Sequence, residues 1–166
     1  MRCPTCGFEN LLGSDVCDNC GSDLAGRDVP EPATSFRGQL LGEHLDALGV
    51  APAEIVDVAT DVDEAIRRMH DKGIDCVLVV DGGRLVGIFT DRDAVLKVAG
   101  TSPSDRSIGA LMTHDPVVLR HDETIAVAIN KMAVGGFRHI PIVEDGRPTG
   151  VVTARDVFHH LAQSLR

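Results

Sequence analysis

Four cysteines near the start of the chain are spaced as metal ligands. Two C-x-x-C-G turns, at residues 3–7 and 17–21, are separated by ten residues. A tight turn of this kind presents two sulfurs to one ion, and two such turns complete a tetrahedral site with no open position for catalysis. The ligands would be Cys3, Cys6, Cys17 and Cys20. The spacing predicts structural Zn²⁺, with iron in the same geometry or disulfides as alternatives.

A second group of candidate residues occurs twice, 63 positions apart. Its members are Thr90, Arg92 and Asp93 in the first copy and Thr153, Arg155 and Asp156 in the second. Each group lies where a predicted strand leads into a helix, and the unpaired N–H groups at a helix start favour a phosphate. The hydroxyl, guanidinium and carboxylate could contact the phosphate and ribose of a nucleotide.

A structural explanation of the same corner is at least as good on spacing alone. Thr-x-x-Asp matches a helix capping box, in which the threonine caps the helix and the acid reaches back. Capping does not require the preceding glycine, Gly87 in the first copy, or the arginine, and all four residues recur. Gly87 is expected to let a ligand approach the backbone.

The whole region around these corners is duplicated. Residues 53–99 align without a gap on 116–162, with 12 of 47 positions identical. Each copy predicts the order β-α-β-β-α, an α+β fold in which two repeats pack face to face. Predicted strands lie at 54–58, 76–80 and 84–89, then at 117–121, 139–143 and 148–152. Predicted helices begin near Thr60 and Glu123 and end at Gly73 and Gly136, and closing helices follow at 91–99 and 154–165.

The domain organisation follows from these segments. Residues 1–24 form the cysteine unit, 25–35 a linker, 36–107 the first repeat with a leading helix, and 108–166 the second repeat. Gly49 is predicted to end the leading helix.

Composition excludes several classes of protein. With 25 acidic and 16 basic residues and a net charge of −9, the surface should repel nucleic acid and anionic lipid. No apolar run reaches the length of a membrane span, and no signal peptide opens the chain, so a cytoplasmic protein is expected. No nucleophile elbow, zinc-protease or P-loop motif occurs, and no catalytic function is predicted. The adjacent His159 and His160 are interpreted as solvent-facing.

The repeats resemble a tandem pair of CBS domains over residues 40–166, and residues 1–24 resemble a short zinc ribbon. The G-h-h-T-x-R-D motif occurs in both copies. Residues 137–143 (FRHIPIV) match the family's R-H-x-P-V strand, and residues 111–117 (LMTHDPV) match its usual opening.

This resemblance implies an adenosine-containing ligand, such as AMP, ADP, ATP or S-adenosylmethionine, between the repeats, and commonly a homodimer. It implies that Asp93 and Asp156 hold the ribose hydroxyls, with Thr90 and Thr153 beside ribose and phosphate. Arg92, Arg155, Arg138 and His139 would face phosphate. The adenine base would lie against Ile55 and Val77 in one site and Val118 and Ile140 in the other.

The first copy departs from the pattern. Asp75 and Cys76 stand where the second copy has Arg138 and His139. An aspartate repels phosphate, so one strong site and one weak or empty site are expected. Cys76 is interpreted as a buried apolar residue and not as a ligand.

Two functions follow from the sequence. The first is a nucleotide-sensing regulatory module whose zinc ribbon relays the signal to a protein partner. The second is a zinc-ribbon adaptor for a transcription or translation partner or RNA, with the CBS pair as a dimeriser. Arg2 is the only base in residues 1–24, which disfavours nucleic acid.

Overall fold

The computed structural model describes residues 2–11, 14–24, 42–50, 52–99 and 106–164. The chain divides into two compact units, Met1–Gln39 and Leu40–Arg166. The predicted linker and the start of the predicted leading helix lie outside the described residues. Within the described ranges, no helix has the length and apolar character that crossing a bilayer requires.

The smaller unit contains two equivalent turns, 14 residues apart. The N–H of Gly7 donates to the carbonyl of Cys3 at 2.9 Å, and that of Gly21 to Cys17 at 2.8 Å. Both glycines have positive φ, 74° and 69°, a left-handed backbone that glycine adopts without a steric penalty. Leu24, 1% exposed, packs with Cys3 and Cys17. Among the described residues of this unit these three form the buried apolar cluster, so burial is expected to supply little of its stability.

The first repeat of the larger unit has the predicted element order. Its elements are β1 (Ile55–Asp57), α1 (Val62–Lys72), β2 (Cys76–Asp81), β3 (Arg84–Thr90) and α2 (Asp91–Asp93), which continues as a π-helix (Ala94–Ala99). Strand β1 is parallel to β2, and β2 is antiparallel to β3. The closing segment was expected to be α-helical throughout, and most of it has the wider π turn instead.

The second repeat differs from the first at its first strand. Its elements are α3 (Ile108–Leu111), β4 (Thr113–His114), α4 (Ile125–Gly135), β5 (His139–Glu144), β6 (Arg147–Thr153) and α5 (Ala154–Ser164). The strand predicted at 117–121 is a single parallel bridge between Leu119 and Ile142. The neighbouring carbonyl of Val118 accepts a hydrogen bond from Lys131 Nζ at 2.8 Å and does not extend the sheet.

The two long helices begin and end where the sequence predicts. Asp61 caps α1, and Thr124 caps α4 through its hydroxyl. Gly73 and Gly136 end them in the left-handed region, with φ of 62° and 67°. The apolar residues that recur at helical spacing are predicted to face inward, and they do: Val62, Ala65, Met69, Ile125 and Ala128 are buried, and Ile66, Ile129 and Met132 are partly buried against the same cores. Period-3.6 spacing therefore identified the core face of each helix.

The repeats exchange their leading segments. Ile108, Leu111 and Met112, which precede the second repeat, lie in the core of the first. Leu45, in a 3-10 helix (Leu45–Leu48) that precedes the first repeat, is 1% exposed in the core of the second. Gly49 ends this short helix as predicted. The boundaries 36–107 and 108–166 thus follow chain order and do not separate the two cores.

The sheets of the two repeats meet face to face. Cys76, Leu78 and Ile88 form a buried cluster with Val151 of the second repeat. The N–H of Leu85 donates to the carbonyl of Gly146 at 2.9 Å, which joins the two hairpins. Cys76 is 6% exposed and is an apolar contact residue, as predicted.

The exchange of segments makes a test possible at Gly109. A Cβ at this position would lie 2.9 Å from the carbonyl oxygen of Val58 and 2.7 Å from its Cγ2. We expect Gly109→Ala to lower the free energy of unfolding by about 1–3 kcal/mol through overpacking. Urea denaturation of the full chain measures this. Gly42→Ala is the control, because no atom lies within 4 Å of a Cβ there; equal effects of the two substitutions would contradict the exchanged packing.

Candidate functional site

The four cysteines of the smaller unit come together. Their Sγ atoms all lie within 4.8 Å of one another. The Sγ atoms of Cys3 and Cys20 are 3.7 Å apart, and those of Cys6 and Cys17 are 3.6 Å apart. These distances exceed a disulfide bond, and four sulfurs around one centre are the donor set that Zn²⁺ or iron takes in tetrahedral sites.

Hydrogen-bond donors favour the thiolate form of Cys17, whereas for Cys6 the Asn19 side chain is outweighed by burial and by the Cys20 and Cys17 sulfurs, which raise its pKa. Burial raises the pKa of Cys17, but backbone N–H groups of Cys20 and Asn19 and the Asn10 side chain outweigh it and lower the pKa to about 6. The Asn10 Nδ2 donates to Cys17 Sγ at 3.5 Å, and its Oδ1 accepts from the Asp18 N–H at 2.9 Å. The sequence analysis did not identify Asn10 as a partner of the cysteines, because an asparagine between two cysteine turns resembles any loop residue.

The two repeated corners contain complete capping boxes. Thr90 donates its N–H and hydroxyl to Asp93 Oδ2 at 3.0 and 2.8 Å. Thr153 donates the same pair to Asp156 Oδ2 at 2.8 and 2.7 Å. The Asp93 and Asp156 N–H groups return to the threonine hydroxyls at 3.3 and 3.1 Å. The capping interpretation is therefore correct, and it uses one oxygen of each carboxylate.

The second carboxylate oxygen distinguishes the two corners. Asp93 Oδ1 accepts from Lys97 Nζ at 2.8 Å and lies 3.5 Å from the hydroxyl of Thr113. The residue 63 positions after Lys97 is His160, whose Nε2 lies 2.6 Å from Glu43 Oε2. No group within the described ranges holds Asp156 Oδ1. His160 was expected to face solvent and is instead paired, with its side chain 14% exposed.

The Asp93 corner borders a cavity of about 280 Å³, here called the Asp93 cavity. Thr90, Asp91, Arg92, Asp93 and Ile88 of the first repeat line it, together with Thr113, Gly136, Phe137, Arg138 and His139. The corner of one repeat thus faces the start of strand β5 in the other. Five predicted phosphate or ribose contacts therefore share this space: Thr90, Arg92, Asp93, Arg138 and His139.

The Asp156 corner borders the equivalent cavity of about 190 Å³, here called the Asp156 cavity. Thr153, Arg155, Asp156 and Val151 of the second repeat line it with His139 and with Pro52, Ala53, Glu54, Gly73, Ile74, Asp75 and Cys76. A shift of 63 residues relates its corner to that of the Asp93 cavity. Asp75 and Cys76 occupy the places of Arg138 and His139.

A third cavity, here called the central cavity, lies between these two and measures about 460 Å³. Asp75, Asp91, Arg138, His139, Thr153, Ala154, Arg155, Phe158 and His159 line it. It shares Asp91 and Arg138 with the Asp93 cavity and Asp75 and Arg155 with the Asp156 cavity. His139 borders all three cavities, which are here together called the cleft.

The predicted adenine contacts are not at these cavities. Val77 and Ile140 are fully buried in the two repeat cores. Ile55 is 41% exposed and Val118 is half-buried, and neither lines one of the three cavities. Side chains alternate across a strand, so the neighbours Cys76 and His139 face the cleft in their place.

Gly87 also has a different role from the one expected. A Cβ at this position would overlap Met112 Sδ, with Met112 Cγ at 2.8 Å. Gly87 is paired with His114 of β4 and lines none of the three cavities. The recurring glycine thus accommodates a packed methionine in the first repeat and not a ligand.

His139 and Cys76, which line the cleft, are uncharged at neutral pH. Burial lowers the pKa of His139, and the nearby carboxylates of Asp75 and Asp91 only partly offset this. Burial, reinforced by Asp75, raises the pKa of the Cys76 thiol to about 12. The charge of each cavity is therefore set by its arginines and acids.

Comparisons with known proteins agree with this architecture. The CBS domain model matches residues 50–100 and 108–163. The uncharacterized protein YlbB of Bacillus subtilis is 35% identical over 113 residues, which are 66% of this chain and 76% of that protein. CBSCBSPB2, a CBS domain-containing protein of Arabidopsis thaliana, is 35% identical over 102 residues, 60% of this chain, but the match spans only 19% of that protein.

Solved structures share the fold. The CBS-domain containing protein ATU1752 from Agrobacterium tumefaciens is 32% identical, with a TM-score of 0.62 over 70% of this chain and 97% of that one. CBSX2, solved in complex with AMP, is 26% identical, with a TM-score of 0.62 over 75% of this chain and 100% of that one. Since the family model accounts for both repeats and for more than half of the chain, this protein belongs to the CBS domain family.

Proposed function

We propose that this protein is a regulatory module that binds an adenosine-containing nucleotide between its two CBS repeats. One observation carries the proposal: the Thr-x-Arg-Asp corner of each repeat faces the beginning of a strand of the other across a cavity. The similar protein CBSX2 was solved with AMP. AMP, ADP, ATP and S-adenosylmethionine are the candidate ligands.

The chemistry of the cleft fits the parts of such a ligand. Asp156 Oδ1 can accept ribose hydroxyls, because only Oδ2 is used by the helix cap. Arg92 and Arg138 in the Asp93 cavity suit a phosphate, which guanidinium groups bind in a bidentate manner. Each cavity alone is small for a nucleotide, and the adjoining central cavity supplies the additional space.

Binding at this place would act on the packing of the repeats. A ligand that contacts both repeats favours the arrangement that it fits, so it shifts the population toward that arrangement. At a hundred times Kd such a ligand stabilises the protein by about 2.7 kcal/mol.

Substituting asparagine for the corner aspartate separates ligand binding from helix capping. Asp156→Asn keeps one acceptor oxygen for Thr153 but replaces the available oxygen with an amide donor. Losing a hydrogen bond to a charged group should weaken binding at this site by about 10- to 100-fold with little loss of stability. A thermal-shift panel of AMP, ATP and S-adenosylmethionine on the wild type, Asp156→Asn and Asp93→Asn measures both.

Two results would contradict the proposal. If no adenosine compound raises the Tm of the wild type, the repeats are not a nucleotide sensor. If both variants bind every ligand as the wild type does, the aspartates serve only as helix caps.

We propose further that the four cysteines bind a structural Zn²⁺ in a zinc ribbon. Support comes from the four converging sulfurs and from the lowered pKa of Cys17. Metal binding at such a site supplies about 10–16 kcal/mol, which exceeds what the few buried residues of this unit provide. We propose a cytoplasmic location, where cysteines stay reduced and are available to a metal.

Removal of the metal should unfold the ribbon and leave the repeats folded. Cys20→Ser should abolish stoichiometric zinc, measured by plasma mass spectrometry, while Cys76→Ser retains it. One-dimensional NMR of the chelator-treated full chain should lose dispersed signals of residues 2–24 only. Iron in the purified protein, seen as visible absorption, or zinc retained in Cys20→Ser would overturn this assignment.

The ribbon offers an apolar surface for a protein partner. Phe8, Leu11 and Val16 are 44%, 79% and 55% exposed. Its one base, Arg2, is outnumbered by the four acids of residues 1–24, so the net charge of the ribbon disfavours nucleic acid. We propose that the ribbon relays the ligand state to a protein, and a salt-dependent shift with RNA would favour the adaptor function instead.

We also propose a homodimer through the closing helices. Val95, Leu96 and Phe158 on these segments are 64%, 60% and 67% exposed, as is expected of surfaces that are covered by a partner. Leu96→Glu should halve the native mass measured by light scattering, since a charge would be buried in the interface. Leu11→Glu on the ribbon is the control, and an unchanged mass in Leu96→Glu would exclude this interface.

A further inference from the structure

The Asp93 and Asp156 cavities are formed by equivalent segments of the two repeats but differ in charge. Both combine a threonine, an arginine and an aspartate from one corner with two residues at the start of the opposite strand. Those two residues are Arg138 and His139 in one cavity and Asp75 and Cys76 in the other. The difference lies beside the site of the expected phosphate.

The side chains that line the Asp93 cavity give it a net positive charge. Arg92 and Arg138 line it, and so do the acids Asp91 and Asp93. Lys97 Nζ, 2.8 Å from Asp93 Oδ1, offsets one of these acids. Two guanidinium groups therefore face the cavity against one uncompensated carboxylate.

The Asp156 cavity is balanced toward negative charge. Its acids are Glu54, Asp75 and Asp156. Glu54 is paired with Lys72 at 2.5 Å and lies 3.8 Å from Arg68, so it is neutralised. In the described part of the chain, no ion pair joins Asp75 or Asp156 to a base.

Arg155 is the only arginine or lysine among the described residues that line the Asp156 cavity. It opposes two carboxylates, and the thiol of Cys76 and the imidazole of His139 add no charge at neutral pH. The remaining wall includes Pro52, Ala53, Ile74 and Val151, which suits the face of a base. The cavity thus offers an apolar wall, an acceptor for ribose and net negative charge.

We propose that the Asp156 cavity binds an adenosine derivative whose 5′ substituent carries a positive charge, such as a sulfonium, and excludes nucleotides through Asp75. The proposal rests on the proposed adenosine-binding function and adds the specificity of each cavity. The Asp93 cavity then holds the phosphorylated ligand. The two cavities therefore respond to different metabolites and adjoin the same residue, His139.

The physical basis is the interaction of like and unlike charges in a partly enclosed site. In the Asp156 cavity, the carboxylates of Asp75 and Asp156 repel a phosphate dianion. In the Asp93 cavity, the guanidinium of Arg138 attracts it. A sulfonium in the Asp156 cavity gains attraction from both carboxylates. One charge difference at such a site is expected to change affinity by about tenfold or more, which corresponds to about 1.4 kcal/mol or more.

Matched ligands isolate that charge. S-adenosylmethionine and S-adenosylhomocysteine differ by one methyl group and one positive charge, and AMP supplies the phosphate. Isothermal titration of the full chain with each compound gives affinity and stoichiometry. The variants are Asp75→Asn, Asp75→Arg and, as a control for net charge, Asp71→Arg on the exposed face of α1, outside the cavities.

The wild type should bind S-adenosylmethionine at least about tenfold more tightly than S-adenosylhomocysteine and should bind one AMP. Asp75→Asn should reduce the preference for the sulfonium. Asp75→Arg should abolish it and create a second AMP site, whereas Asp71→Arg changes neither. Asp156→Asn should weaken S-adenosylmethionine but not AMP, and Arg138→Gln, which removes a guanidinium from the Asp93 cavity, should do the reverse.

Equal affinities for the two sulfur compounds, or two equivalent AMP sites in the wild type, would overturn the charge assignment while adenosine binding itself stands. AMP binding without S-adenosylmethionine binding would do the same. Absence of binding by all three compounds would refute the proposed function as well.

Discussion

Each repeat corner depends on a single carboxylate that holds the first turn of a helix. Oδ2 of Asp93 and of Asp156 accepts two hydrogen bonds from the preceding threonine. This fixes the backbone of the corner, and with it the threonine and the aspartate, where the corner borders a cavity. Helix capping and ligand binding are therefore compatible, because a carboxylate has two oxygens and the cap uses one.

Whether the second oxygen of each corner aspartate is available to a ligand depends on the residue one helical turn later. Lys97 occupies it in the first repeat, and His160 turns to Glu43 in the second. Glu43 belongs to the leading segment that crosses over to the second core, so the exchange of segments helps to keep Asp156 accessible. The exchange of leading segments, which joins the repeats, therefore also makes their cavities different.

Much of the fold could be predicted from the sequence. The duplication revealed the element order, and the helix faces and glycine ends followed from spacing, since these are local consequences of backbone geometry. The strand predicted at 117–121 is reduced to one bridge, because only Leu119 pairs with Ile142 and the Val118 carbonyl accepts a hydrogen bond from Lys131 instead. The π-helix after Asp93 gave no recognisable signal either.

The site was predicted less completely than the fold. The corner residues and Arg138 with His139 line the cleft, but Val77 and Ile140 do not, because an offset of one residue in a strand moves a side chain to the opposite face. The difference between Asp75 and Arg138 was visible in the sequence. The sequence did not show which of the two corners shares a cavity with each residue.

Residue types and spacing alone determined the cysteine cluster, the duplication and the two capping corners, since each depends on groups within a few residues or on a repeated pattern. Only the tertiary structure decided that each corner faces the opposite repeat and that leading segments cross between cores. These are contacts between distant parts of the chain, selected by the burial of both faces of each sheet, and no local pattern encodes them.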